Sequence, residues 1–248
     1  MSALVIKLVA CLTMLLDHIG YAWPALNVLR APGRLAFPLF VFLMVEGFRH
    51  TSSRGRYALR LGIFALLSQI PFSLFLYGTP WHPKGSVLCT LLTSLLLLWQ
   101  LDFFRSRGLH LLGLVLPAAA FVLCWRDVVS MDYGSTGILM ALTIYYFGQR
   151  PLLLFFGLLF SIFHQILLSW VGTVAHLALG QKDVFVRVEG WNLYKLYAIL
   201  SFGLMRAYDG SPGPRPASRL GRKAVQLVFY AFYPVHMLAL WLLKSVIR

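Results

Sequence analysis

The chain has 248 residues and a mass of 28.0 kDa, with 59% hydrophobic residues, 12% charged residues and a mean hydropathy of +0.76. A soluble domain carries about 25% charged residues, so this composition excludes a soluble enzyme, a disordered chain and a disulfide scaffold and specifies a membrane protein. The formal net charge of +14 is assigned to basic loops and anionic headgroups rather than to nucleic acid, because no basic stripe interleaved with aromatics lies on a soluble module.

The expected architecture is all-α: one polytopic helix bundle over residues 1–248, with room for nine to ten transmembrane helices of roughly 20 residues each. Hydropathy places spans at 4–23, 34–48, 58–78, 86–101, 109–124, 133–149, 151–171, 193–208 and 224–246, with the second and fourth short and the eighth weak. The breakers fall between them: Pro24, Pro32 and Gly33, then Gly78, Pro80, Pro83 and Gly85, then Gly148 and Pro151, then Gly210 to Pro216. Lys7, Asp17 and His18 in the first segment mark it as a retained helix, not a cleaved signal peptide. Cys11, Cys89 and Cys124 lie in apolar runs and read as small core residues.

Loops after even-numbered spans hold Arg49, Arg54, Arg56, Arg60, Arg105, Arg107, Arg150, Arg206, Arg215, Arg219, Arg222 and Lys223. Loops after odd-numbered spans hold fewer basic residues, Arg30, Arg34, Lys84, Arg126, Lys182 and Arg187, together with Asp127, Asp132, Asp183 and Glu189. This asymmetry predicts a cytoplasmic N-terminus and an outer C-terminus.

An ionisable side chain within hydrocarbon costs about 2.5–3.5 kcal/mol even on lenient scales, so each one is a functional candidate. Asp17, His18, Glu46, His164 and His236 qualify, with Arg34 at a helix entrance. His18, His164 and His236 each lie about 18–21 Å along an odd-numbered helix, which puts them at one depth in the outer half of a core about 30 Å thick. His164 reads as an interhelical hydrogen-bonder. His18 differs, because Asp17 adjoins it and Arg34 and Glu46 form a charged pair on the next helix. Asp17 neutralising Arg34 leaves His18 as a base.

The segment from Arg49 to Tyr57, followed by Arg60, reads either as a positive-inside loop or as a phosphate clamp. Walker-type and dinucleotide-binding motifs are absent, as are HExxH, GxSxG and any metal cage, so no metal is expected.

The blocks MLLDHIGY (14–21), GRLAFPLFVFLMVEGF (33–48), RYALRLGIFALLSQIPF (56–72), MDYGSTGIL (131–139) and FYAFYPVHM (229–237) together resemble the TraX family, membrane proteins named for the acetylase that modifies the N-terminus of F-pilin. That family is similar to wider transmembrane acyltransferases such as the acyltransferase-3 proteins and the lysosomal heparan N-acetyltransferase. The resemblance implies a multi-pass protein of the bacterial inner membrane that moves an acetyl group from cytoplasmic acetyl-CoA to an amine or hydroxyl acceptor on the outer side. It implies His18 as base or acyl carrier, Asp17 as its support and Arg34 near the reaction site. Glu46 and Gln69 would shape the cavity, with Tyr230, Tyr233 and His236 lining it and Arg34 or Tyr133 donating to the oxyanion. Arg49, Arg54, Arg56 and Arg60 would hold the CoA phosphates. The acceptor stays open among a protein N-terminus, an envelope glycan and a lipid-linked sugar. Two rival readings are a proton-coupled transporter and a non-catalytic subunit of a conjugation or envelope complex.

Overall fold

The computed structural model describes residues 1–178, 194–214 and 216–246; Lys182, Asp183, Arg187, Glu189 and Arg215 lie outside the described residues. Helices follow one another as α1 (Ala3–Ala22), α2 (Arg30–Gly33), α3 (Ala36–His50), α4 (Arg54–Tyr77), α5 (Val87–Arg105), α6 (His110–Trp125), α7 (Gly134–Phe147), α8 (Pro151–Ala178), α9 (Tyr194–Tyr197), α10 (Ser201–Arg206) and α11 (Arg219–Val246). No strand occurs among the described residues beyond one isolated bridge between Gly85 and Met131.

Among the described residues, six helical runs are long and apolar enough to cross a bilayer: Ala3–Ala22, Pro24–His50, Arg54–Tyr77, Val87–Arg105, Pro151–Val171 and Leu220–Val246. The protein is therefore a multi-pass membrane protein. Among the described residues the expected nine to ten spans are not confirmed, and length is the reason. Although α6 and α7 are apolar, they have 16 and 14 residues, or roughly 24 and 21 Å at 1.5 Å per residue, against a core of about 30 Å. The weak eighth segment is broken into α9, a 3₁₀ turn at Ala198–Leu200 and α10.

The bundle is apolar outside, and its buried interior sets small polar residues among large apolar ones such as Phe48, Phe72 and Leu98. Leu66 on α4, Leu111 on α6 and Leu227 on α11 are exposed, whereas Ser68, Thr90, Ser94, Ser135, Ser161 and Ser201 are buried. Small residues let helices approach closely where lipid supplies no hydrophobic drive between them. The helix ends follow local rules. Ser2 and Ser53 cap α1 and α4 through side-chain acceptance from Val5 and Arg56, and Gly78 ends α4 in the left-handed conformation at φ 71°.

Backbone and ionic ties define two faces. On one, Ala3 N–H donates to the Ser211 carbonyl at 2.8 Å, Arg49 donates to the Ile144 and Tyr145 carbonyls at 3.1 and 2.7 Å, and Arg54 pairs with Asp102 at 2.7 Å. Arg56, Arg105, Arg150 and Arg222 belong to the helix ends on this basic face. On this face, too, the exposed Asp209 carboxyl is drawn down to about 2, chiefly by hydrogen bonds from Ser211. On the opposite face, Gly85 and Asp132 exchange backbone bonds with Ser130 and Gly85 at 2.9 Å each, and Lys84 pairs with Asp132 at 3.7 Å. At the centre α1 packs against α3 and α11, and α11 packs against α4.

Candidate functional site

α1 and α11 place two histidines in direct contact. His18 Nδ1 and His236 Nε2 are 2.6 Å apart, and His236 Nδ1 lies 2.6 Å from the Phe232 carbonyl one turn back on its own helix. A carbonyl only accepts, so in the neutral pair His236 Nδ1 carries a proton and its Nε2 is a lone pair. His18 must then donate through Nδ1, which leaves His18 Nε2 unprotonated too, as the lone pair not used between the two rings. Pro234 sits in the same turn of α11, and Tyr233 completes the layer with its ring 6.4 Å from that of His18 and 5.9 Å from that of His236.

Beside His18, Asp17 Oδ1 is 3.5 Å from Arg34 and 3.7 Å from Arg30. Gly33 makes this possible. A Cβ there would collide with the Asp17 side chain and lie 2.7 Å from its Cα, so only glycine lets α2 close onto α1. Arg34 and Tyr133 line the same cavity, and the Tyr133 ring stacks on Phe37 at 3.6 Å. Asp17, His18, Arg30, Arg34, Lys84, Asp132, Tyr133, Ser135 and Lys195 all line one cavity of about 790 Å³ on the opposite face. In its loop, burial pushes the Asp132 carboxyl above the usual carboxylate range, with Lys84 opposing.

A second cavity of about 560 Å³ opens on the basic face. Its walls are apolar, with Met14, Phe40, Leu43 and Leu88, and its polar lining includes Lys7, His50, Tyr57, Arg60, Arg222, Tyr230 and Tyr233. The two cavities lie end to end along α1 and α3 without sharing a lining residue. On α1 the boundary falls between Met14 and Asp17, and on α3 between Phe40 and Pro38, which is roughly 3–5 Å of helix rise. The His18, His236 and Tyr233 layer stands at that boundary.

The family model described as TraX protein matches residues 2–244. The chain belongs to the TraX family. One relative of this TraX chain is the probable fimbrial assembly protein FimC of serogroup H1 from Dichelobacter nodosus, 26% identical over 253 residues that cover 95% of this chain and 93% of the relative. No solved structure matches it.

Among the candidate residues, the TraX chain brings together Asp17, His18, Arg34, Tyr133, Tyr233 and His236, with Tyr230 about a turn nearer the basic face in its cavity and stacked on Phe64 at 5.0 Å. The remainder are placed otherwise. Glu46 does not pair with Arg34, because the two sit at opposite ends of α3; it pairs with Arg49 at 2.9 Å. Arg49 and Arg54 are engaged by Glu46, two α7 carbonyls and Asp102, and Arg56 is exposed outside the cavity. Of the four proposed phosphate ligands only Arg60 lines either of these two cavities, where Tyr230 shares the wall. Lys7 and Arg222 join it there. Neither was singled out from the sequence, since one was read as part of a span and the other as a loop charge. His164 makes the expected interhelical bond, to Ser135 on α7, and stands apart from the His18 pair.

Gln69 is not a cavity residue. Its amide donates to the His82 and Lys84 carbonyls at 3.2 and 2.8 Å and accepts from the Ser86 N–H at 3.1 Å, pinning the α4–α5 connection. Gln69→Ala strands these buried groups and is expected to destabilise the protein by about 2–4 kcal/mol, while leaving ligand affinity of the remaining folded fraction unchanged. Thermal unfolding in detergent checks this, and an unaltered Tm contradicts the clamp.

Proposed function

We propose that this TraX-family protein is an acetyl-CoA-dependent membrane acyltransferase. The observation that carries the reading is the histidine pair at the junction of two cavities. The basic face is cytoplasmic, in keeping with its arginine excess. Acetyl-CoA enters there, its phosphates held by Arg60, Lys7 and Arg222 at the basic lining and its pantetheine arm against the apolar wall. The acceptor waits in the opposite-face cavity, on the outer side of the inner membrane.

Transfer requires the acceptor to lose a proton as it attacks the thioester carbonyl. His18 Nε2 is a lone pair held in place by the bond from His18 Nδ1–H to His236, which suits a general base. Arg34 and Tyr133 supply donors for the developing oxyanion. The thioester C–S bond breaks, the acetyl carbon joins the acceptor nitrogen or oxygen, and the acceptor proton accompanies the CoA thiolate out. The name of the fimbrial relative favours an amine acceptor on an envelope protein over a sugar.

The test is thiol release from acetyl-CoA by the purified protein in detergent, with and without crude envelope extract. Release that depends on extract is expected. No release under either condition overturns the enzyme reading and favours an assembly subunit.

A further inference from the structure

A second histidine-centred arrangement lies on the wall of the opposite-face cavity, and the mechanism above leaves it unused. Ser135, in the first turn of α7, places its Oγ 2.9 Å from His164 Nε2 of α8. His164 Nδ1 lies 2.8 Å from the Ser161 carbonyl. The same argument fixes the tautomer: the carbonyl accepts from His164 Nδ1–H, so His164 Nε2 is a lone pair and the Ser135 hydroxyl donates to it. The hydroxyl is thereby polarised along the bond that a serine nucleophile must break.

The surroundings hold this arrangement. Ser161 Oγ donates to the Gly157 carbonyl at 2.7 Å and lies 3.4 Å from Thr143 Oγ1, fixing the turn that receives His164. Phe121 and Phe160 pack on the imidazole, with centroids 5.6 and 6.4 Å away. Ser135 is on the cavity wall that also carries His18, Arg34 and Tyr133. An interhelical bond made only for stability would not need the hydroxyl to border a cavity lined with the acyl-transfer residues.

We propose that Ser135 is a nucleophile that carries the acetyl group between donor and acceptor, with His164 as its base; this rests on the acyltransferase reading. In the first half-reaction Ser135 Oγ attacks the thioester carbonyl and passes its proton to His164 Nε2. The C–S bond breaks, and the proton leaves with the CoA thiolate as free thiol, giving an acetyl-serine ester. In the second, His18 takes a proton from the acceptor ammonium and gives it up to bulk solvent before the next turnover, and the free amine attacks the ester carbonyl. The amine's further proton returns through His164 to Ser135 Oγ as the C–O bond breaks. Each half-reaction leaves the serine and His164 ready for the next.

The experiment incubates the full-length protein in detergent with radiolabelled acetyl-CoA and no acceptor. A burst of about one CoA per protein molecule is expected, with label on the peptide that contains Ser135. Ser135→Ala loses burst and label while eluting as a folded particle. Ser135→Cys regains a label that neutral hydroxylamine strips, as it strips a thioester but not an oxygen ester. Extract-dependent thiol release at the wild-type rate by Ser135→Ala, or label on His18, overturns the acyl-serine and leaves the acyltransferase reading standing. No thiol release from the wild type with extract overturns both.

Discussion

His18→Ala is expected to lower extract-dependent thiol release by about 10²–10⁴-fold, the range over which a positioned general base contributes. His236→Ala is expected to cost roughly one to two orders of magnitude less than that, because it removes no group that touches substrate. Its effect runs through the 2.6 Å bond between the rings. Without the His236 lone pair, nothing requires the His18 proton to sit on Nδ1, and a fraction of the protein presents the wrong nitrogen to the acceptor. A merely structural role for His236 predicts loss of folded protein with an unchanged turnover per folded molecule. The positioning role predicts a lower kcat with KM for acetyl-CoA unchanged, and partial recovery in His236→Gln, whose side-chain carbonyl can accept from His18 Nδ1–H. The rate should rise with pH to a plateau in the wild type, since the base acts unprotonated, and the profile should change in His236→Ala. Equal turnover in wild type and His18→Ala would remove His18 from the chemistry.

How much of this was legible in the sequence depends on whether the signal was local. All nine hydropathy segments coincide with helical stretches, because an apolar run and its flanking breakers are properties of neighbours in the chain. The count of spanning helices was less legible. Pro24–Leu29 and α2 extend α3 into one longer helical run, α7 with 14 residues falls short of the segment at 133–149, and α6 has the length of the segment at 109–124, which was itself short of a full span. The pairing of Asp17 with Arg34 was readable, since both flank one connection. The arginines were not. Arg49, Arg54, Arg56 and Arg60 look alike in sequence, and only the rotation of α3 and α4 decides that two meet acids and one enters a cavity. Likewise His236 and His18, 218 residues apart, shared only an inferred depth, and Ser135 lay inside a quoted block without being singled out. Depth along a helix can be estimated from rise per residue, but which face meets which neighbour is set by tertiary packing.

The largest loss of stability is expected at Asp17. Its carboxylate lies within 3.7 Å of two guanidinium groups, and the side chains of the three residues are at most 28% exposed. Asp17→Ala leaves Arg30 and Arg34 facing each other without a counter-charge, and breaking a buried pair in this way costs about 3–5 kcal/mol. For a chain of this length that corresponds to a fall in Tm of about 6–20 °C. Asp17→Asn keeps the volume beside Gly33 but not the charge, so it should fall between the wild type and Asp17→Ala. The origin of the cost separates from simple packing by a double substitution: Arg30→Gln added to Asp17→Asn removes one of the two stranded charges and should recover about 1–2 kcal/mol, a coupling that independent sites do not show. Should Asp17→Asn and the double variant melt together, the carboxylate is not holding α2 onto α1 by charge, and Asp17 would then have to be assigned to the acceptor instead.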